Sequence, residues 1–278
     1  MELFIVVIAI LFLQVWGADN PLHKDQWFDD WLSFTKKQFS ASAEKHFAFT
    51  VAVPVLVLAV AFWLIGQKML WPLVPLGVIV LLYSFGRGEF GELVQAYTKA
   101  CYQEDWKSGI ERAQSLRVDV EGIRENDWDS LHRHVLEEAA YRGFERMFAV
   151  LFWFFIFGPL GALAYRLTFL FCEKYQDNAP AKKFLWLSEW PAVRVLGLSF
   201  ALTGNFMGCI RKWRESLLCV VRPTKMTIGQ SVLGALSVEE GINQTCDVTR
   251  KELSLMNQLY LRTLWFWLAA TAIYILFN

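Results

Sequence analysis

The chain lacks a surplus of either charge, with 27 Lys and Arg against 27 Asp and Glu in 278 residues. A nucleic-acid binder needs a basic footprint to displace counterions, so this balance excludes nucleic acid as a partner. Cysteine is scarce: Cys101, Cys172, Cys209, Cys219 and Cys246 make an odd count of five with no Cys-x-x-Cys pair. That excludes a disulfide-stapled secreted scaffold. The expectation is reduced, structural thiols, most of them at a cytoplasmic face. No His-Glu-x-x-His occurs. His132 and His134 stand two apart, so they diverge on a helix, and no metal site is expected. There is no Walker A lysine motif. Gly86-Arg87-Gly88-Glu89-Phe90-Gly91 has the spacing of a dinucleotide fingerprint but follows an apolar helix instead of a strand, and it reads as an exit from the membrane. No stretch alternates as a half-buried strand does, so the expected fold is all-α.

What the sequence does have is apolar residues gathered into long runs. Hydrophobic residues make up 55% of the chain and charged ones only 19%, against roughly 45–50% and a quarter in soluble domains. A bilayer core about 30 Å thick takes about 20 apolar helical residues. Residues 47–65 and 69–85 carry no charge and are joined by Gly66-Gln67-Lys68, which reads as a transmembrane hairpin that tolerates Pro54, Pro72 and Pro75. A further span is expected over 259–277, with Arg262 snorkelling from its first turn. Another is expected over 147–171. Weaker runs lie at 3–16 and 193–210, the latter carrying Arg194 and Asn205. The expectation is a polytopic helical membrane protein, one integral membrane domain over 1–278 with four to six membrane segments, its lipid partner the bilayer. If all six cross, 20 Lys and Arg fall on one side and 4 on the other. That asymmetry puts the charged helical segments, 86–146 and 211–258, in the cytoplasm.

The most legible of these charged segments is 127–148. Leu131, Val135, Leu136, Ala139, Ala140, Gly143, Phe144, Met147 and Phe148 form one apolar stripe at helical spacing. His132, His134, Glu137, Glu138, Arg142 and Glu145 are assigned to the other face, Glu138 and Arg142 at i,i+4, with Asp127 or Asp129 as cap. The helix runs on without a breaker to Phe157, where Gly158-Pro159 and Gly161 must break or kink it. A broken helix frees backbone groups within the membrane, and such breaks line binding sites. Tyr165 and Arg166 follow. A charge at that depth should face protein or water. Glu137, Glu145, Gly158, Pro159, Tyr165, Arg166, Arg194 and Asn205 are therefore the candidate ligand-binding residues. Arg166, Arg194 and Glu145 are expected to converge near the break. No catalytic residue is assigned, and the cofactor is unknown.

Phe157-Gly-Pro-Leu-Gly-Ala-Leu-Ala-Tyr-Arg166 resembles the signature of the CbiB membrane family, which attaches the aminopropanol arm to adenosylcobyric acid. Trp190-Pro191-Ala192-Val193-Arg194 with Ala201-Leu202-Thr203-Gly204-Asn205 resembles that family's proline–arginine stretch, and Gln230 to Leu236 its Ala/Gly/Leu helix. The departures fall on small polar residues. Tyr141 and Arg142 stand where the resemblance implies Glu and Asn. Phe169-Leu170-Phe171-Cys172 replaces Asn-Thr-x-Asp, and Thr224-Lys225-Met226-Thr227-Ile228-Gly229 replaces Ser-Pro-Asn-Ala-Gly. Losing these ligands removes much of what would hold ATP, Mg²⁺ and a corrinoid. Length, degenerate polar motifs and the N-terminal Leu-Phe-Ile-Val are similar to the related AmpE family of the bacterial inner (cytoplasmic) membrane. That resemblance implies a multi-pass regulator of β-lactamase induction linked to cell-wall recycling, meeting a cytoplasmic partner protein or a cell-wall-derived small molecule. A divergent ATP- and Mg²⁺-dependent amide synthase of the CbiB type and a small-molecule sensor or permease are the alternatives.

Overall fold

A computed structural model describes residues 2–16, 22, 24–39, 42–67, 69, 71–86, 90–217, 222–237 and 244–277. Among these the chain is all-α. The helices are α1 (Glu2–Trp16), α2 (Gln26–Gln38), α3 (Ala43–Gly66), α4 (Leu73–Ser84), α5 (Phe90–Tyr102), α6 (Trp106–Ser115), α7 (Trp128–Gly143), α8 (Ala149–Lys174), α9 (Ala179–Thr203), α10 (Phe206–Leu217), α11 (Thr224–Ala235) and α12 (Cys246–Phe277). A π-helical turn, Phe144–Phe148, joins α7 to α8. The Gly86–Gly91 motif has its centre, 87–89, outside the described residues, as are Lys68 of the hairpin link and Cys219.

Three of the helical stretches are long and apolar enough to cross a membrane: Ala43–Gly66, Trp128–Lys174 through its apolar part, and Cys246–Phe277. The shorter α1 and α4 are also apolar. In the most apolar 18-residue window of α3, only 6% of the residues are buried by protein. Leu56, Val57, Val60, Trp63 and Leu64 all face outward. Each such side chain left in water forgoes about 1.5–3 kcal/mol, so this surface calls for hydrocarbon. The expected run at 193–210 does not form one helix. α9 stops at Thr203, and Asn205 starts α10 by accepting a hydrogen bond from the Gly208 N–H at 3.1 Å. Hydropathy alone does not register that cap.

The chain divides into two compact units, one of residues 1–87 and 146–192, the other of 88–145 and 193–278. In the first, α4 packs on α1 and α8, and α3 packs on α2 and α8. Its core joins Phe28 and Leu32 of α2, Phe47 and Val51 of α3, and Leu163, Leu167 and Phe171 of α8. Pro54 sits inside α3 and has no N–H for the Thr50 carbonyl one turn back. The Trp31 indole of α2 donates to that carbonyl instead, at 3.0 Å. The Thr50 hydroxyl meets the Thr35 hydroxyl at 2.8 Å. Pro75 falls in the first turn of α4, where the missing N–H costs nothing.

In the second unit, Tyr97, Ala113, Leu116, Val118, Leu131 and Val135 form a core where α5, α6 and α7 meet. Asp105 caps α6 and Asp127 caps α7, each accepting from the N–H three residues on. Asp129, the other candidate cap, instead pairs with Arg133 and accepts from the Gln244 N–H. α7 also packs on α11 and α12. α10 and α11 approach so closely that a Cβ on Gly208 would lie 2.5 Å from the Gly234 carbonyl oxygen.

Candidate functional site

The expected break is real. Inside α8, Gly158 has φ 64° and ψ −154°, a conformation for which L side chains carry strain. Pro159 then opens the continuing helix with its φ already fixed. Beyond the break, Tyr165 is buried and its hydroxyl donates to Glu189 Oε1 at 3.2 Å. Arg166 is also buried in protein, its guanidinium 5.5 Å from the Phe169 ring centroid. These residues belong to the first unit; Glu137, Glu145, Arg194 and Asn205 belong to the second.

In the second unit, the π turn carries Glu145. Such turns recur at functional sites because they widen the helix and displace a side chain from its regular register. Glu145 is 1% exposed, and Glu138, two turns earlier on α7, is 5% exposed. Arg142 lies between them in sequence and pairs with both: Nε to Glu138 Oε1 at 3.0 Å and Nη1 to Glu145 Oε2 at 3.5 Å. Lys225, at the start of α11, pairs with the second oxygen of Glu138. Two carboxylates, a guanidinium and an ammonium thus neutralise one another on the face where α11 packs on α7.

This corrects the helical-wheel reading of His132, Glu138 and Glu145. The wheel puts all three on the polar face, yet all three are buried, because α7 and the turn after it are covered by several neighbours rather than along one stripe. Glu137, the neighbouring candidate, is exposed. Asn205 is exposed too. Beyond capping α10 it donates through Nδ2 to Ser237 Oγ at 2.6 Å, and its N–H donates to the Ala235 carbonyl at 2.8 Å. It therefore ties α10 to the end of α11. Arg194 is buried, and its carbonyl accepts from the Trp213 indole at 2.7 Å. Sequence reasoning missed Lys225 as a site residue; its signal was the departure from the Ser-Pro-Asn-Ala-Gly pattern at that position.

The expectation of reduced, unpaired cysteines is corrected at one pair. Cys101 and Cys246 form a disulfide, 145 residues apart in sequence, while Cys172 and Cys209 are free and buried. The spacing hid the pair, since only the packing of α5 against α12 brings the two together. His132 lies beside them, its Nδ1 2.7 Å from the Tyr97 hydroxyl. Burial pushes His132 down to about 4, so the imidazole is neutral at neutral pH. Asp127 is held below the usual carboxylate value by the Ser130 N–H and hydroxyl. Asp129 is held down by the Arg133 guanidinium and the Gln244 N–H. The described groove of about 760 Å³ lies elsewhere, between α2 and α3. Trp27, Trp31, Phe34, Pro54 and Val57 line it, and no candidate site residue does.

Over 265 residues the chain is 25% identical to the protein of Stutzerimonas stutzeri named "Cobalamin biosynthesis protein CobD", a stretch that covers 87% of this chain and 83% of that one. No protein-family model matches the chain. No solved structure matches it.

Proposed function

We propose that this protein is a non-enzymatic regulatory membrane protein of the AmpE type, modulating β-lactamase induction linked to cell-wall recycling from the bacterial inner membrane. The observation that carries this reading is the buried ion-pair cluster of Glu138, Arg142, Glu145 and Lys225. An ATP- and Mg²⁺-dependent synthase needs carboxylates free to hold the metal and cations free to hold phosphates. Here Arg142 and Lys225 stand at positions where the synthase pattern has small polar ligands, and they pair with Glu138 and Glu145. A multi-pass arrangement with the charged segments in the cytoplasm, to meet a partner protein or a cell-wall-derived small molecule, belongs to the same proposal. Gly158, Pro159, Tyr165 and Arg166, the candidate residues at the break in the first unit, would take that ligand.

The similarity to the cobalamin biosynthesis protein favours a second reading, a divergent amide-forming synthase. Purified protein in detergent, supplied with ATP, Mg²⁺, adenosylcobyric acid and aminopropanol, separates the two. The regulatory reading expects no ATP-dependent amide. It also expects that deleting the gene in a Gram-negative host with inducible chromosomal β-lactamase changes the induced enzyme level, and that the wild-type gene restores it. Amide formation, or an induced level unchanged by deletion, overturns the regulatory reading.

A further inference from the structure

Three ligand-type side chains from distant parts of the chain meet in the second unit. Cys101 lies in the last turn of α5, His132 near the start of α7 and Cys246 at the start of α12. Their donor atoms all lie within 4.8 Å of one another. Cys101 Sγ is 3.5 Å from His132 Nε2. Tyr97, one turn before Cys101, occupies the other ring nitrogen at 2.7 Å. In the tautomer whose Nδ1–H is donated to the Tyr97 oxygen, the lone pair of Nε2 points toward the sulfurs, which is how a metal-binding imidazole is oriented by its outer partner. Trp128 packs on the His132 ring with centroids 5.6 Å apart, and Trp106 packs edge-on against Trp128. Tyr97, Cys101 and His132 are buried, and Cys246 is half-buried. His134 takes no part: it is exposed, and its Nδ1 bonds the Ser130 carbonyl.

We propose that Cys101, His132 and Cys246 bind a thiophilic divalent cation of the Zn²⁺ class when the two thiols are reduced, and that the Cys101–Cys246 disulfide is the metal-free, oxidised form of the same site. A thiol reductant delivers two electrons and two protons to the S–S bond. The bond becomes two thiols while the reductant's own thiol pair becomes a disulfide. The cation then displaces both thiol protons to solvent and takes two thiolates and the neutral imidazole as ligands. Two thiolate charges cancel the dication, so the site gains no net charge on burial. Zn–S bonds of about 2.3 Å at a tetrahedral angle put the sulfurs roughly 3.8 Å apart. Side-chain rotation reaches that separation from Cα atoms 6.0 Å apart. Three protein ligands leave the fourth tetrahedral position to water, on the half-buried side of Cys246.

The test uses untagged full-length protein in detergent. Reduced with a phosphine, incubated with excess Zn²⁺ and desalted, it is expected to retain one Zn²⁺ per chain. Protein with the disulfide intact is expected to retain none. Cys101→Ser and Cys246→Ser each lower the affinity at least about tenfold, and Tyr97→Phe weakens it about 10–100-fold. Co²⁺ in place of Zn²⁺ gives a thiolate-to-cobalt absorption band that is absent from Cys246→Ser. One readout needs no variant: the thermal midpoint of the reduced wild type rises with Zn²⁺ and falls back when a chelator is added. The proposal is overturned by a reduced wild type that retains no metal, by one whose midpoint ignores Zn²⁺, or by cysteine variants that bind as tightly as wild type.

Discussion

Helix α3 of the first unit and the α7–α11 face of the second bury polar groups by different means, although the first unit also buries Arg166 and Glu189 on α8 and α9. In the first, α3 has almost no charge and presents most of its apolar surface outward. Its polar repairs are neutral and local: an indole on the carbonyl freed by Pro54, and a threonine on a threonine. The second unit buries full charges and balances them, Arg142 and Lys225 against Glu138 and Glu145. A helix in hydrocarbon must satisfy its backbone within itself or from a near neighbour, so errors there are errors of shape and hydrogen bonding. A charge-bearing core instead fails when one partner is removed, because the remaining ion has no solvent to turn to. Helix α3 should therefore be sensitive to backbone geometry and the α7–α11 face to charge balance.

The sharpest way to break that contrast is Arg142→Leu. It removes the Arg142 guanidinium from both Glu145 and Glu138, an expected cost of about 3–5 kcal/mol. This should appear as a large fall in the thermal midpoint in detergent. Adding Glu145→Gln to that variant should recover part of the loss. A double variant as unstable as the single one would show that Arg142 acts through packing instead. In the first unit, Gly158→Ala meets no atom within 4 Å of the new Cβ. Its cost is purely conformational, about 1–3 kcal/mol, since φ 64° disfavours any side chain. A wild-type midpoint for that variant would mean the break is not fixed. Trp31→Phe keeps an aromatic ring but withdraws the donor from the Thr50 carbonyl. About 1 kcal/mol is expected, with faster amide exchange confined to α2 and the middle of α3.

The smallest effect concerns a cap. Asp127→Ala should loosen the start of α7, seen as lower amide protection at 128–131. Because Asp127 is held below its usual value of 3.8, its contribution is complete above that pH and fades as pH falls through the lower folded-state value. Amide protection at 128–131 should thus decline on strong acidification in the wild type. In the alanine variant it should already be low and respond less.

The apolar runs were legible wherever hydropathy and helix length agree, as at α3, the apolar part of α8 and the C-terminal part of α12, whereas the run at 69–85 forms a helix of only 12 residues. The α8 break was legible because Gly-Pro is a chemical stop on any helix. The stripe from Leu131 to Phe148 was legible as periodicity. Its opposite face was not, since a helical wheel shows which residues share a face and says nothing of how many faces are covered. Glu138 is buried because α11 brings Lys225 to it, and His132 because α5 brings Tyr97 and Cys101. The run at 193–210 misled because Asn205 reads as one polar residue in an apolar window, while in three dimensions it caps a new helix.

Composition and spacing alone determined that this chain is helical and that much of its surface requires lipid, because both follow from properties of consecutive residues. Which carboxylate finds a cation, and which cysteine finds another 145 positions away, was decided only by tertiary packing. Such pairings depend on distances across the fold that no local pattern encodes.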